Sequence, residues 1–359
     1  MDGTVAHRPW IVMVGGFLGA GKTTLILAAV RELQRLGHRC AVILNDQGSA
    51  LVDTRWTDLQ GVQSGEITGG CFCCRLSELL ETTERLRAYS PDVIFAEPVG
   101  SCTDIIATVV RPFQQQRSYR IAPPTVLVDP GRARSLLEDD GDPKMSFLFQ
   151  KQIEEADLLC FTKADLYPSP PPMLGRPVRQ LSAATGQGVR AWLDEVLSGA
   201  LLGGGESLEI DYEQYAQAEA ALAWLNLQAT FEPAIPVSPA MVLGPLLDSI
   251  DERLTAAGIS IVHLKAIATA QTGFVKAAIC RNGDEPRLEG NLDASPAPKH
   301  HLLLNLRAVG SADRVRELAQ GALFQLGAGL GEIEISCFTP AAPVPERRIL
   351  ERVTTPARA

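Results

Sequence analysis

The sequence predicts a two-part chain: an α/β domain with a mainly parallel sheet, followed by a smaller α+β domain of ferredoxin-like type. Three observations carry that prediction. Short apolar runs alternate with helix-period segments as far as residue 198, the pattern of a parallel sheet covered by helices on both faces. A glycine-rich loop ending in Lys22-Thr23 joins the first of these runs to the first helix. Beyond Gly203-Gly204-Gly205, strand-like runs follow one another with only two good helices among them, as in an antiparallel sheet with helices on one face.

In order, residues 10–14 (WIVMV) read as a buried strand stopping at Gly15-Gly16. Residues 22–36 carry apolar side chains at 25, 26, 29, 30, 33 and 36, a helical spacing closed by Gly37. RCAVILN is the second strand and runs into Asn45 and Asp46. Further strands are expected at 92–96, 124–128, 157–162 and 177–181, with helices at 76–89, 101–112, 144–155 and 188–198. After the glycine joint, strands are expected at 223–231, 260–269, 273–281, 300–309 and 332–338, and helices at 239–257 and 311–327. Residues 282–299 read as a surface loop, and PSPPP at 168–172 as a rigid connector. The resulting division is 8–200 for the first domain, 201–222 for a linker, 223–340 for the second domain and 341–359 for a flexible Pro- and Arg-rich tail.

Composition narrows the function classes. A net charge of −9 with no basic stripe argues against nucleic-acid binding through phosphate contacts. No apolar run approaches the ~18 residues of a membrane span. The opening MDGTVAHRPW has neither a basic n-region nor an apolar h-region, and Asp2 stands where myristoylation needs glycine. A cytoplasmic protein is the expectation. Five of the eight cysteines are scattered, several in apolar stretches such as DLLCF, where reduced buried thiols are the usual state. His300-His301 opens a strand, so the two rings should face opposite ways and act as core and surface residues rather than ligands.

G-x-x-x-x-G-K-[ST] is met by Gly16-Phe17-Leu18-Gly19-Ala20-Gly21-Lys22-Thr23, with Thr24 following. Such a loop turns backbone N–H groups onto phosphate oxygens, places Lys22 between the β- and γ-phosphates, and offers the Thr23 hydroxyl to Mg²⁺. Lys163 and Asp165, in Thr162-Lys163-Ala164-Asp165, match the [NT]-K-x-D element that reads guanine. The Asp165 carboxylate would accept from the guanine N1–H and exocyclic amine, groups adenine lacks, favouring GTP over ATP by up to about 10⁴. Leu181-Ser182-Ala183 ends the next strand, where a backbone contact to guanine O6 is expected. Glu97 ends a strand at the mouth of the sheet, and Asp46 follows the second strand, with Asp53 a little beyond. Glu97 and Asp46 are candidates to orient the attacking water or the ion's water shell, and with Lys22 form the expected catalytic set.

GGCFCC at 69–74 packs Cys71, Cys73 and Cys74 into four positions. Adjacent Cα atoms sit ~3.8 Å apart, shorter than the ~4.4–6.8 Å of a relaxed disulfide. A bound divalent cation would instead deprotonate the thiols, and Gly69-Gly70 lets the backbone curl so that all three converge. Three sulfurs plus one further ligand suit tetrahedral Zn²⁺, with Co²⁺, Ni²⁺ or Cu(I) as alternatives. Cys102 is a candidate fourth ligand, weighed against a buried helix cysteine.

These motifs in this order resemble the CobW-type P-loop GTPases, relatives of the nickel chaperones for urease and hydrogenase. The resemblance covers residues 10–198 and carries onto Gly16 to Thr24, Cys71, Cys73, Cys74, Glu97, Lys163 and Asp165. It implies a P-loop GTPase domain, a CobW-type C-terminal domain, low GTPase activity, and a role in allocating a metal such as zinc or cobalt. Three departures stand out. Family members read E-T-T-G-L-A-D-P where this chain has Glu97-Pro98-Val99-Gly100-Ser101-Cys102-Thr103-Asp104, and N-E-F-G where it has Asn45-Asp46-Gln47-Gly48. Histidine-rich tracts are absent.

The expectation is a GTP- and Mg²⁺-dependent metallochaperone that passes Zn²⁺ or Co²⁺ from the thiol loop to a client metalloprotein. The alternatives are a GTPase that loads a corrinoid protein, and a zinc-sensing module with negligible turnover. An ATP-dependent kinase ranks last. Client and homodimer formation stay open.

Overall fold

The computed structural model describes residues 8–48, 51–137, 141–169, 177–201 and 203–353. Contacts divide them into two compact units, one from the described residues of 1–46, 57–215 and 343–359, the other from 47–56 and 216–342. Most of the PSPPP connector lies outside the described residues.

In chain order the elements up to residue 219 are β1 (Trp10–Gly16), α1 (Lys22–Arg35), β2 (Cys40–Asn45), α2 (Val52–Leu59), β3 (Gln63–Ile67), α3 (Leu76–Arg87) and β4 (Val93–Glu97). A π-turn (Ile106–Val110) then leads into α4 (Arg111–Gln116), followed by β5 (Arg120–Ile121), β6 (Thr125–Val128) and α5 (Pro130–Leu137). Next come α6 (Pro143–Glu155), β7 (Leu158–Phe161), β8 (Val178–Gln180), α7 (Val189–Leu197) and α8 (Tyr212–Glu219).

The first unit's sheet runs β3-β2-β4-β1-β6-β7-β8, with β5 also beside β1, and every pairing is parallel. β2, β4, β6 and β7 are buried along their whole length. Helices on both faces leave no wet side, so these strands read as continuous apolar runs rather than alternating ones. Because all strands share one direction, the loops after β1, β2, β4, β7 and β8 gather at one edge, where α/β sheets hold ligands. α6 starts on Asp142, whose carboxylate accepts from the Lys144 and Met145 N–H groups, with Pro143 at the first helical position.

The second unit adds β9 (Leu222–Phe231), α9 (Pro239–Ala256), β10 (Ser260–Ala270), β11 (Gly273–Ile279), β12 (Arg287–Gly290), β13 (His300–Val309), α10 (Ala312–Phe324) and β14 (Leu330–Phe338). Its antiparallel sheet is ordered β12-β11-β10-β13-β9-β14. Leu225, Leu227, Ala229 and Phe231 of β9 alternate into one core with Leu246, Ile250 and Leu254 of α9 and Val315, Ala319 and Leu323 of α10. On the other face of β9 and β13 lies a polar cluster: the Asn226 side-chain oxygen accepts from Asn305 Nδ2 at 2.9 Å and Arg307 Nη2 at 3.0 Å. Residues 47–56 belong to this unit. Val52 N–H donates to Asn305 Oδ1 at 2.8 Å, Asp53 pairs with Lys265, and Lys276 Nζ lies 3.1 Å from the Trp56 ring centre. Asp53 is thereby part of a structural ion pair.

Three expectations change. Residues 282–299 contain β12, which pairs with β11. The segment 47–56, expected inside 8–200, groups with the second unit. Residues 343–353, expected in a flexible tail, are a bonded strap on the first unit. Arg348 Nε donates to the buried Asp104 carboxylate at 2.7 Å, Ile349 N–H to Ala107 O at 2.9 Å, and Arg111 Nη1 to Ile349 O at 3.0 Å. His300 is buried with its ring 3.1 Å from Ala297 O, and His301 is exposed, as the alternation requires.

Candidate functional site

The loop after β1 is shaped by its glycines. Gly16 has φ +134°, and a Cβ there would stand 2.5 Å from Leu127 O, so no other residue fits against β6. The following turn is closed by Ala20 N–H on Phe17 O at 3.0 Å, and left-handed Gly21 leads into α1 at Lys22. The buried Lys22 ammonium donates to Gly16 O at 3.0 Å and also reaches Phe17 O, so it lies over the loop. Thr23, one residue on, donates its hydroxyl to Glu97 Oε1 at 3.1 Å; both side chains are buried. An ion held by Thr23 would therefore meet the Glu97 carboxylate within its own or its water's reach. Thr24 sits on the first turn of α1. The N-terminus of that helix supplies unsatisfied N–H groups and a positive dipole end to an anion.

The loops after β7 and β8 are joined by Ala164 N–H on Leu181 O at 3.2 Å, which sets Lys163 and Asp165 beside Leu181-Ser182-Ala183. Lys163 adopts a left-handed backbone (φ 56°) and its ammonium pairs with Asp129, at the end of β6. The buried Ser182 turns its hydroxyl to accept from Thr185 N–H at 3.2 Å. Asp165 is exposed.

The thiol loop forms one tight turn, with Cys74 and Arg75 N–H both donating to Cys71 O at 3.0 Å. This brings the sulfurs together: Cys71 to Cys73 2.9 Å, Cys71 to Cys74 3.1 Å and Cys73 to Cys74 3.7 Å. They are the one such metal-capable cluster among the described residues, and they lie within 4.8 Å of one another. Sulfurs around a tetrahedral zinc with ~2.3 Å bonds stand ~3.8 Å apart, so the trio fits the ion with a small spreading. Thiol hydrogen bonds from Cys102, Cys73 and Cys74 hold Cys71 well below the ordinary thiol range. The same hydrogen bonds raise Cys73 strongly, and Cys74 to about 11. The neighbouring S–H groups thus favour the thiolate form at Cys71 over that at Cys73 or Cys74. By contrast, burial pushes the isolated Cys40 and Cys160 up to about 12, as inert core thiols.

Two supports were not singled out in the sequence. Asn45, the last residue of β2, donates to Ile67 O at 3.0 Å and Gly70 O at 2.7 Å, and accepts from Phe72 N–H at 2.8 Å. From the strap, Val344 N–H donates to Cys74 Sγ at 3.3 Å and Glu346 N–H to Cys73 O at 2.9 Å. The Glu346 carboxylate accepts from Ser77 N–H at 2.9 Å and its hydroxyl at 2.6 Å. Asn45 is visible in N-D-Q-G as a polar strand end, whereas nothing near Glu346 in the sequence marks it. Asp46 follows Asn45 and donates its N–H to Ile67 O; Leu44, two residues earlier, pairs with Glu97 across the sheet.

A lysine-bearing phosphate loop, a strand-end acid on its threonine, a guanine-type turn and a three-thiol loop therefore share one sheet edge. Residues 10–183 match the family model of the CobW/HypB/UreG nucleotide-binding domain. They belong to the CobW/HypB/UreG family. The CobW-type domain is similar to the zinc chaperone YjiA of Escherichia coli K12, 39% identical over 71 residues, covering 20% of this chain and 22% of the relative. It is also similar to the zinc chaperone YeiR of the same strain, 29% over 161 residues, covering 43% and 46%. A zinc-regulated GTPase metalloprotein activator of Schizosaccharomyces pombe is 26% identical over 179 residues, covering 47% and 42%. The aligned stretches span half the length of these relatives or less. Among the described residues no helix is long and apolar enough to cross a membrane.

Proposed function

We propose that the chain is a GTP-hydrolysing metallochaperone which holds a soft divalent ion, Zn²⁺ first and Co²⁺ second, on Cys71, Cys73 and Cys74 and delivers it to a client metalloprotein. The observation that carries this reading is Asn45. One side chain at the end of the strand that leads to Asp46 also fixes the peptides flanking Cys71. A nucleotide-driven change at that strand end would be felt at the sulfurs. The names of the zinc-chaperone relatives support the choice of ion.

In this reading, GTP lies with its phosphates on Gly16 to Thr24 and its base between Asp165 and Ser182-Ala183. Thr23 and Glu97, already hydrogen-bonded, would hold Mg²⁺, which would offset the charge of the triphosphate when bound. Lys22 moves from the Gly16 and Phe17 carbonyls onto the phosphates. Water attacks the γ-phosphorus, the bond to the β–γ bridging oxygen breaks, and the water's proton leaves with inorganic phosphate. Glu97 and Asp46 orient that water, and Lys22 offsets the charge growing on GDP. A 100-fold change in ion affinity between the GTP and GDP states needs ~2.7 kcal/mol, within the range of a loop rearrangement.

The test is zinc affinity by chelator competition with a non-hydrolysable GTP analogue and with GDP. A difference of tenfold or more is expected, and equal affinities would remove the coupling.

A further inference from the structure

The three loop sulfurs are not equally open. Cys71 is 4% and Cys73 1% exposed, whereas Cys74 is half-buried. An ion therefore enters or leaves the trio past Cys74, and the strap lies on that side. Val344 N–H donates to Cys74 Sγ at 3.3 Å and Glu346 N–H to Cys73 O at 2.9 Å. Two anchors hold the strap there. Glu346 takes both Ser77 donors at the start of α3. Two residues on, Arg348 pairs with Asp104, its Nε 2.7 Å from Oδ2, and its Nη2 donates to Leu208 O at 3.0 Å.

Asp104 is an uncommon place to fasten a strap. Its side chain is fully buried, its backbone is left-handed at φ 61°, and Tyr212 Oη donates to the same Oδ2 at 2.7 Å. Few non-glycine residues enter that backbone region, so its surroundings hold it there, and Arg348 supplies the opposite charge. Asp104 also ends the segment that leaves β4. At the head of that segment Glu97 accepts from Thr23 of the phosphate loop at 3.1 Å. In its middle Gly100 presses on the same loop so closely that a Cβ would stand 3.0 Å from Leu18 N. Gln152 Nε2 donates to Gly100 O at 3.0 Å and to Cys102 O at 2.8 Å, bracing the segment from α6. Contacts thus run unbroken from the phosphate loop through residues 97–104 to Arg348, and along the strap to the Cys74 sulfur.

We propose that the strap is a gate over the thiol loop, latched by Arg348 on Asp104 and worked by the nucleotide through residues 97–104. This rests on the metallochaperone reading and deepens it, adding control of the rate of ion transfer to the control of affinity through Asn45. A gate speeds or slows entry and exit alike and leaves the equilibrium in place, whereas a brace on a ligand changes the equilibrium. When the 97–104 segment shifts, Asp104 withdraws, the strap loses its charged anchor, and Cys74 opens to a client.

The test is the rate at which the zinc-loaded full chain yields Zn²⁺ to an excess of a chromophoric chelator, with a non-hydrolysable GTP analogue and with GDP, alongside the equilibrium zinc affinity. The parent should release zinc ~5-fold or more faster with GDP. Arg348→Ala removes the latch from its partly exposed side. It should release zinc ~10-fold faster than the parent with the GTP analogue, lose the nucleotide difference, and keep its zinc affinity within ~3-fold. Asp104→Asn keeps an acceptor for Tyr212 and a residue at home in left-handed backbone, which guards against a folding defect, and should shift the rates in the same direction. Arg352→Ala removes an exposed ion pair with Glu206 farther along the strap and should behave as the parent. Parent-like rates in both latch variants would overturn the gate while leaving the three-thiol site standing. So would an affinity that falls by as much as the rate rises, the mark of a brace. A parent that binds no zinc would remove the metallochaperone reading, and the gate with it.

Discussion

Asn45 Oδ1 accepts the backbone N–H of Phe72 at 2.8 Å, so the residue that ends β2 holds the peptide between Cys71 and Cys73. The other face of the same carboxamide donates to Gly70 O. One side chain thus ties the strand that runs into Asp46 to the loop that presents the thiols.

Asn45→Ala strands those buried backbone groups. A cost of about 2–3 kcal/mol in stability is expected, because unpaired buried groups lose their full desolvation penalty. Thermal unfolding reads that cost. Chelator competition should show zinc bound ~10-fold more weakly, and an unaltered zinc affinity would mean the brace is structural only.

Glu346→Ala releases the strap from the start of α3, where its carboxylate takes both Ser77 donors. A lost helix cap costs about 1 kcal/mol. Cys74, the half-buried member of the trio, should then react several-fold faster with a thiol reagent in the metal-free protein. Equal rates in parent and variant would show that the strap does not shield it.

Asp165→Ala removes the carboxylate expected to read guanine. GTP should lose most of its advantage over ATP, by 10²-fold or more in competition binding. Lys22→Ala should abolish turnover for either nucleotide. If the Asp165 variant still prefers GTP as the parent does, the base is recognised elsewhere.

Glu155 supplies a pH signature. Burial raises its pKa to about 8, although Ile106 N–H donates to it at 2.6 Å. The folded chain binds this proton more tightly than the unfolded chain does. Its contribution is therefore complete below the ordinary carboxyl pKa of ~4.3 and is lost as pH rises toward 8, with a slope of up to ~1.4 kcal/mol per pH unit. Glu155→Gln keeps an acceptor for Ile106 and should flatten that decline. Denaturant melts at pH 5, 6.5 and 8 check it: a parent and variant that decline in parallel would refute the assignment.

Much of this was legible from local pattern. The phosphate loop works through backbone N–H groups and a few neighbouring side chains, so a contiguous motif specifies it. The three thiols likewise occupy one turn, and their convergence follows from Gly69-Gly70 and the spacing alone. The buried parallel strands announced themselves as unbroken apolar runs. Short elements escaped: β3 (QSGEI) is largely polar along a sheet edge, and the eight residues of α2 carry no strong apolar period.

What the chain's sequence determined by itself was which residue types stand together within single loops: Lys22 and Thr23 after a glycine turn, three cysteines in four positions, and Asp165 two residues past Lys163. Tertiary structure decided which of these loops share an edge and what holds them there. Asn45 on the thiol loop, Lys163 on Asp129, and the strap at Val344 and Glu346 all join residues from 25 to 270 positions apart. The physical reason is that a hydrogen bond or an ion pair depends on distance in space. No periodicity along the chain encodes a contact made only when parallel strands bring their carboxyl ends together.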